Sequence, residues 1–557
     1  MRDHLLGLKL ILIISVCSIA GNAKTYYVSS SGGSDAYSGL SPASAWRTIA
    51  KVNSTTLQPG DTVLFKCGDT FQGEVSSESG ALNNPIVFGA YGTGQKPVIS
   101  GAIQINSSGW APYQGSIYVR SNVTLAPMTD GEPPNLFYNG IILQSARYPD
   151  TGYLTAQSVI GGNPGSHCCE FANSCIDPAL SQKFFLPGDL QNGHISAYDP
   201  YGISTRRIVK YNPANGEVKF DTLRGASFMT EHMYFLSCTL AFLDSPGEWY
   251  YDDAAKKLYV WFPNGSSPAS NDTLLCSNYQ FGINLWQVDN IKISDLEFRY
   301  QKIAGLFFVR SDHVTVENNI FYGSKNGIFI WGTDGPPEIL VRNVTVRNNV
   351  FLNILREGIN SRNLDQCIIS NNIFRDIGLN NGLGQSGKPD QWGDYGYYAY
   401  GLAIQATGIN SQISYNNILR TGRQAIASGG PNVSTKCNII DSSCLGYNDC
   451  GGLMPLSDGV VENNIIKNCT GPFEIHKYMG ARGIYPDFRS RDTIRNNTII
   501  HTTIGIGLTN SKNEVVSGNT VYGSSFVQFR MNKKTAQPLN NFVRKNIFFG
   551  LDETAYS

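Results

Sequence analysis

Short apolar runs alternate with polar turn residues over much of the chain, most regularly between residues 316 and 550. The runs are rich in Ile, Val and Phe, and they lack the spacing of about 3.6 residues that marks an amphipathic helix. Gly and Asn, which tolerate turn conformations readily, stand between the runs. The pattern predicts short β-strands joined by tight turns.

One phrase recurs through this region, and its first copy reads Glu317-Asn318-Asn319-Ile320-Phe321. The second asparagine of each copy, or its equivalent, is Asn319, Asn349, Asn372, Asn417, Asn438, Asn464, Asn497, Asn519 and Asn546. The intervals are 30, 23, 45, 21, 26, 33, 22 and 27 residues. A period just above twenty residues, lengthened in places by insertions, indicates a solenoid.

A glycine stands 14 residues before the asparagine in several copies, as in Gly305 to Asn319 and Gly358 to Asn372. Two landmarks at constant separation indicate that each repeat is one coil of strands. Stacked asparagines can then form a hydrogen-bonded ladder along the axis. The predicted fold class is all-β, a parallel β-helix solenoid in which each coil shares its core with the coils above and below.

The repeat disappears in the middle of the chain, where residues 245–263 alternate like antiparallel strands. We therefore expect an N-terminal cap with the first coils at residues 24–124, a β-rich insertion at 125–283 and the main β-helix at 284–557. The last residues, 550–557, show no pattern typical of a cap.

The N-terminus combines Arg2 and Lys9 with an apolar run at residues 10–20, followed by Gly21-Asn22-Ala23. This is the pattern of a signal peptide cleaved near Ala23, and it is too short for a typical membrane span. Cys17 follows Val16, which is a poor context for a lipid anchor. The chain is expected to be secreted or periplasmic, without a membrane span.

The 43 basic and 43 acidic side chains cancel, and only 15% of residues are charged. This composition does not favour a nucleic-acid partner. Twelve cysteines, of which Cys17 lies in the signal peptide, leave an odd number for pairing. Cys168, Cys169 and Cys175 could staple the insertion, and Cys444 and Cys450 could pin the loop that carries Asp449. No cofactor or metal is predicted, and a monomer is expected.

Alternate side chains of a strand face outward, so the positions two and four after each landmark glycine should face solvent. Position four gives one row: Val309, Trp331, Arg362, Gln405, Leu456, Asp487 and Thr509. An aromatic ring, a cation, an amide and a carboxylate in one row suit a sugar polymer. The alternative is an ordinary polar surface. Trp331, Arg362 and Gln405 are therefore candidate substrate-binding residues.

Two aspartates are the candidate catalytic residues. Asp449 stands just before one landmark strand and Asp487 within the next, so their separation of 38 residues places them on adjacent coils. A gap of about 5–10 Å between carboxyl groups suits glycoside cleavage. The alternative is that both aspartates order backbone amides in turns.

Other polar and aromatic residues surround this pair in the sequence. Glu474 and His476, two residues apart, could bind substrate or tune an acid, although such a histidine is often structural. The loop at residues 378–400 is rich in aromatic residues, and its Trp392 could wall a cleft. Glu248 precedes a strand in the insertion, where a structural role is favoured.

Several segments resemble those of secreted parallel β-helix carbohydrate-active enzymes, in particular glycoside hydrolase family 141 of the fucosidase and xylanase type. They are the opening segment at residues 25–50, the phrases at 139–150 and 245–263, and the sequences Asp449-Cys450-Gly451-Gly452 and Gly483-Ile484-Tyr485-Pro486-Asp487. The resemblance implies a right-handed coil, which agrees with the rule for parallel crossovers. It also implies that Asp449 and Asp487 are catalytic. Arg482 and Tyr485, which stand near Asp487 in the sequence, are further candidate substrate-binding residues. Cys450 departs from the small residue that is usual there.

The predicted function is a glycoside hydrolase acting on a plant or algal cell-wall polysaccharide. A polysaccharide lyase or epimerase acting on uronates is an alternative, in which Lys477 or Arg482 would serve. A non-catalytic carbohydrate-binding protein is a third possibility, because a fold does not by itself confer activity.

Overall fold

A computed structural model describes residues 23–125, 134–160, 170–199, 202–225, 233–333, 338–380, 401–472, 480–532 and 540–551. Three long parallel sheets, here sheets A, B and C, wind around one core and form a β-helix. The predicted signal peptide and the candidates Trp392, Glu474 and His476 lie outside the described residues, as does Lys477. In the described part of the chain, no helix has the length and apolar character needed to cross a membrane.

The strands of each sheet are hydrogen-bonded in register from coil to coil. Sheet A contains Thr25–Val28, Thr62–Lys66, Ile86–Tyr91, Ile291–Ser294, Val314–Glu317, Thr345–Arg347, Ile368–Ser370, Gln412–Ser414, Ser434–Lys436, Val460–Glu462, Thr493–Arg495, Val515–Ser517 and Phe542–Arg544. Sheet B contains Thr70–Gln72, Val98–Ser100, Glu297–Arg299, Ile320–Tyr322, Val350–Leu352, Ile373–Ile377, Asn417–Thr421, Ile439–Asp441, Ile465–Lys467, Thr498–Ile500, Thr520–Tyr522 and Ile547–Phe549. Sheet C contains Val75–Ser76, Phe281–Trp286, Ala304–Val309, Asn326–Trp331, Val341–Arg342, Glu357–Asp365, Ile404–Ile409, Ile426–Gly429, Gly451–Pro455, Arg482–Ile484, Ile504–Thr509 and Val527–Asn532.

The first coil is covered by a strand and a short helix at the N-terminal end of the rod. The α-helix Ile49–Asn53 begins after Thr48, whose side chain accepts a hydrogen bond from the Lys51 amide. A 3-10 helix, Pro42–Ser44, precedes it. Trp46 stacks on Tyr26 of the first strand, with 4.6 Å between ring centroids. These buried rings close the core at this end of the rod.

The core of the rod consists of the residues that follow the landmark glycines, together with stacked phenylalanines. Leu306 and Ile328, each directly after a landmark glycine, are fully buried in it. Neighbouring rings of Phe298, Phe321, Phe351 and Phe374 lie 5.2, 4.7 and 4.5 Å apart. Each coil therefore presents the same apolar surface to the next one, which is the condition for stacking.

A buried asparagine ladder lies at the corner between sheets A and B, as the sequence predicts. In each step the Nδ2 of one asparagine donates to the Oδ1 of the next at 2.9–3.1 Å. The members are Asn319, Asn349, Asn372, Asn416, Asn438, Asn464, Asn497, Asn519 and Asn546.

One member differs from the prediction, because the ladder contains Asn416 and not Asn417. The residue before each ladder asparagine has a left-handed backbone, with φ of 58° at Asn318 and 57° at Asn348. Tyr415 takes that conformation here, with φ also 58°. Asn417 is thereby shifted into the exposed first position of a sheet B strand. The intervals on either side become 44 and 22 residues.

The insertion leaves the rod after Val98–Ser100 and returns at Phe281–Trp286. Its first strand, Ala102–Ile105, pairs with Leu274–Ser277, so the insertion begins before the expected boundary at residue 125. One of its sheets has the order Ala102–Ile105, Leu274–Ser277, Leu136–Tyr138, Ile141–Ser145, Glu248–Asp252, Lys257–Trp261, Ile117–Ser121 and Ala111–Gln114. The other has the order Arg147–Tyr148, Met233–Ser237, His194–Asp199, Gly202–Asn212, Glu217–Gly225, Glu170–Ile176 and Ser158–Ile160, with Leu154–Thr155 beside Met233–Ser237. The 3-10 helices Pro178–Gln182 and Leu240–Phe242 complete it.

Candidate active site

Asp449 lies in a short loop between sheets B and C that is fixed at both ends. Cys444 and Cys450 form a disulfide, as the sequence suggests. Tyr447 and both cysteines are fully buried in the core of the rod. The Cys450 sulfur is thereby inside the rod, while Asp449 keeps 11% of its side-chain surface exposed. The loop therefore keeps the Asp449 carboxylate at the surface, while the disulfide and the buried Tyr447 hold its backbone in place.

Arg482 and Tyr485 from the next coil both contact the Asp449 carboxylate. The Nη1 of Arg482 donates to Oδ1 of Asp449 at 2.8 Å, and the hydroxyl of Tyr485 donates to the same oxygen at 3.1 Å. The Arg482 guanidinium lies 3.8 Å from the centroid of the Tyr485 ring and is almost completely buried. An arginine and a hydroxyl on one oxygen stabilise negative charge on that carboxylate.

Gly451 allows the two coils to approach closely at this point. A Cβ added at Gly451 would lie 2.7 Å from the Cβ of Tyr485, which is too close for any other residue. Gly451 also pairs in register with Arg482. The glycine directly after the Asp449 loop is therefore a condition for the Asp449 and Tyr485 contact.

Asp487 lies on the same coil as Tyr485, two residues after it. Its backbone forms a bridge with Thr509 of the following coil. Burial raises the pKa of the Tyr485 hydroxyl, the Arg482 guanidinium opposes that shift, and Asp449 and Asp487 add to it. The two aspartates thus lie on adjacent coils with Tyr485 within the electrostatic reach of both.

The outward row on sheet C is present in part. Val309, Trp331 and Arg362 are in register on three consecutive coils. The guanidinium of Arg362 lies 5.8 Å from the Trp331 ring centroid. Five coil steps separate the Trp331 strand from the Arg482–Ile484 strand. At about 4.8 Å per step, Trp331 lies roughly 24 Å along the rod from the coil of Asp487.

Gln405 does not belong to that row. It pairs with Asn360 and Ala427, and this places it in the row of position two, which also includes Met454. The prediction treats Gly401 as the landmark glycine of this coil. Ala403 takes that place in the structure, because its carbonyl accepts from the amide of Ile359 where the coils stack. Gln405 is half-buried and still faces outward.

The insertion packs against the coil that carries Asp449, which the sequence does not indicate. Tyr198 stacks on Tyr447 with ring centroids 6.1 Å apart and planes within 4° of parallel. Tyr153 packs on Tyr198 at 5.1 Å. No local motif links residues so distant in sequence, so only covariation between the two positions could have revealed the contact.

Glu248 has the structural role that its sequence context favours. Its Oε1 accepts from the Arg147 amide at 3.1 Å and its Oε2 accepts from the Asp244 amide at 3.2 Å. Burial raises the pKa of this carboxyl to about 8. The side chain therefore links the Arg147–Tyr148 strand to the turn that precedes its own strand.

Comparisons with known proteins agree with the fold. A model of the right handed beta helix region matches residues 281–451, and a model of a periplasmic copper-binding protein (NosD) matches residues 395–556. Copper prefers histidine, cysteine and methionine ligands. The described residues bring together no group of three His, Cys, Asp or Glu side chains suited to a metal ion.

A lacto-N-biosidase from Bifidobacterium longum subsp. longum is 40% identical over 83 residues, which is 14% of this chain and 5% of that protein. The matched segment therefore spans only a small part of this relative. A solved structure described as a glycoside hydrolase has 15% identity and a TM-score of 0.68, covering 92% of this chain and 96% of the other. At this identity the likeness shows the fold.

Proposed function

This chain is a right-handed parallel β-helix protein, and on that premise we propose that it is a secreted glycoside hydrolase of the family 141 type. Its substrate would be a plant or algal cell-wall polysaccharide. The observation that carries the proposal is the position of Asp449 and Asp487 on adjacent coils, with Tyr485 hydrogen-bonded to Asp449 two residues before Asp487. The glycoside hydrolase of similar fold and the lacto-N-biosidase segment support it.

Asp449 would act as the ionised carboxylate of the pair. Arg482 and Tyr485 hold one of its oxygens, which fixes the orientation of the group and stabilises its charge. This arrangement suits the nucleophile or the base of glycoside cleavage, and Asp487 would then supply the proton to the leaving oxygen. Arg482 and Tyr485 are positioning residues in this mechanism.

A lyase mechanism needs a group that removes a proton beside a uronate carboxyl. Arg482 is ion-paired with Asp449 and buried, so it is poorly placed to act as a base. The raised pKa of Tyr485 also opposes its use as a base. The described side chains at this site therefore favour hydrolysis over elimination.

The test is product analysis after incubation with fucosylated polysaccharides, xylan and pectin. The parent should release reducing sugars without the ultraviolet absorbance of a 4,5-unsaturated product. Asp449→Asn and Asp487→Asn should each lower the rate by about a thousandfold or more. Asp295→Asn is the matched control, because Asp295 pairs with Lys96 and lies five coils of the rod before the Asp449 loop. Full activity in both site variants would disprove the assignment, and an unsaturated product would favour the lyase.

A further inference from the structure

Five aromatic rings form a continuous layer on the outer face of sheet C, far from the two aspartates. Phe281, Phe307 and Phe329 stack in sequence, with centroids 4.2 and 5.4 Å apart. Trp286 lies over Phe307 at 6.4 Å, and Trp331 lies over Phe329 at 5.4 Å. We call these five residues the aromatic platform.

The platform lies outside the core of the rod. Phe307 follows Leu306 in its strand, so Leu306 points into the core and Phe307 points outward. The platform and core residues accordingly form separate apolar clusters. The surface of the platform consists of the exposed indole of Trp286 and the half-buried indole of Trp331, an apolar patch of the kind found at interaction sites.

The upper layer of the platform consists of two indoles. Trp286 is 46% exposed, whereas Phe281, Phe307 and Phe329 are buried beneath and beside it. Trp331 is half-buried, and the Arg362 guanidinium lies beside its ring. The apolar C–H face of a sugar ring packs on such an indole, while a neighbouring cation donates to its hydroxyl groups. The phenyl layer holds both indoles in place, which lowers the entropy lost on binding.

The distance between Trp286 and Trp331, and from them to the two aspartates, fits an extended glycan. Trp286 and Trp331 both pair with Val309, one coil to either side, so they are two coils or roughly 10 Å apart. From Trp331 the outer face of sheet C continues for five more coils, roughly 24 Å, to the coil of Asp487. A chain in contact with both regions must be several sugar rings long.

We propose that the aromatic platform is a distal glycan-binding subsite, so that the substrate is an extended oligosaccharide or polysaccharide chain. This inference rests on the proposed function, because it assigns the length of the substrate cleaved at the two aspartates. Trp286 is the residue that this inference adds to the predicted substrate-binding set.

The test separates binding from cleavage by using Asp487→Asn as the parent background. Affinity gel electrophoresis in xylan, a fucosylated polysaccharide and pectin measures binding of the polymer directly. Trp286→Ala and Trp331→Ala should each weaken binding of the retained polymer by about fivefold or more. Tyr415→Ala is the matched control, because Tyr415 is 57% exposed at the corner between sheets A and B and should leave binding unchanged. Equal retention of parent and tryptophan variants, or no retention of the parent by any polymer, would overturn the inference.

In the active enzyme, kcat/KM should rise with substrate length until the chain reaches the platform. Trp286→Ala should reduce the ratio of kcat/KM for the polymer to that for the shortest cleaved oligosaccharide by about fivefold. An unchanged ratio together with normal hydrolysis would refute the platform and leave the proposed function intact. Polymer binding that depends on the tryptophans without hydrolysis of any substrate would support the platform and refute the proposed function.

Discussion

Tyr198 of the insertion and Tyr447 of the rod stack almost parallel, with 6.1 Å between ring centroids. Tyr447 is two residues from Asp449 and lies within the loop closed by Cys444 and Cys450. The insertion therefore supports the candidate catalytic loop from one side, and the disulfide restrains it from within.

Replacement of Tyr198 should affect catalysis through the position of Asp449. Tyr198→Ala removes the ring that packs on Tyr447, and a displaced carboxylate should lower kcat by about tenfold or more. Tyr198→Phe keeps the stacked ring and should restore most of the activity. Thermal unfolding shows whether the variants remain folded, and Tyr113→Ala tests an exposed tyrosine elsewhere in the insertion. Equal activity of the alanine and phenylalanine variants would rule out this role.

Loss of the disulfide should loosen the same loop. A Cys444→Ser and Cys450→Ser double variant should unfold with about 2 kcal/mol less stability, since closing a short loop restricts the unfolded chain. It should also lose activity, because Asp449 precedes Cys450 directly. Cys67→Ser is the control, as Cys67 is a half-buried free cysteine in the first coils. Similar unfolding of the double variant and the control would contradict the prediction.

Asn416 and Asn417 should contribute unequally to stability, because only Asn416 belongs to the asparagine ladder. Asn416 accepts from the amide and the side chain of Asn372, and donates to Ile369 and Asn438. Asn416→Ala should lower the free energy of unfolding by about 2–4 kcal/mol, because it leaves buried groups without partners. Asn417→Ala, at the exposed neighbouring position, should change it by about 0.5 kcal/mol or less. Urea unfolding measures both, and equal effects would show that the ladder does not pass through Asn416.

Two buried carboxyl groups, each directly before a strand of sheet A, predict a dependence of stability on pH. Oδ1 of Asp492 accepts from the Gly459 amide, and Oε2 of Glu514 accepts from the Asp492 amide, both at 3.0 Å. Burial is the main cause that raises the pKa of Asp492 to about 6 and that of Glu514 to about 8. Asp458 raises both values further, while Arg489 lowers the first and Arg491 the second.

The free energy of unfolding should fall as the pH rises, because these carboxyls ionise at a lower pH in the unfolded chain than in the folded one. Above about pH 4 both carboxyls ionise in the unfolded chain, whereas in the folded chain Asp492 stays protonated to about pH 6 and Glu514 to about pH 8. The unfolded state therefore gains stability relative to the folded state as the pH rises to about 8. The free energy of unfolding should therefore fall between pH 4 and pH 8, by on the order of 3 kcal/mol through Asp492 and by more through Glu514. Glu248, whose pKa is also raised to about 8, adds to the same trend.

Glu514→Gln should remove a large part of this trend. Its amide cannot ionise, so the decline in melting temperature from pH 4 to pH 8 should be smaller than in the parent. Glu78→Gln, at an exposed position, is the control and should follow the parent curve. An identical pH dependence in Glu514→Gln would show that Glu514 ionises normally in the folded protein.

The sequence predicts the rod well because each coil needs the same features, which are apolar side chains for the core and an asparagine for the ladder. The glycine and asparagine landmarks correctly predict which residues enter the core and where the ladder lies. The errors occur where a coil lacks its usual residue. Tyr415 replaces the left-handed asparagine and Ala403 replaces the glycine, and each substitution shifts the predicted register.

Less of the candidate site could be predicted from the sequence. Asp449, Arg482, Tyr485 and Asp487 lie within 39 residues of one another, so the coil period brings them to adjacent coils. The support from Tyr198 depends on how the insertion folds back over the rod, and no local period encodes that. The roles of the two aspartates remain predictions, as do those of Trp392, Glu474 and His476.

The position of the insertion also determines the order in which the protein can assemble. Ile86 and Ile291 are hydrogen-bonded neighbours in sheet A, although the entire insertion lies between them in the chain. During synthesis the first coils therefore have no following coil to stack on until the insertion has emerged. Closing this long-range contact costs more chain entropy than adding any later coil, and it is the step at which growth of the rod should be slowest.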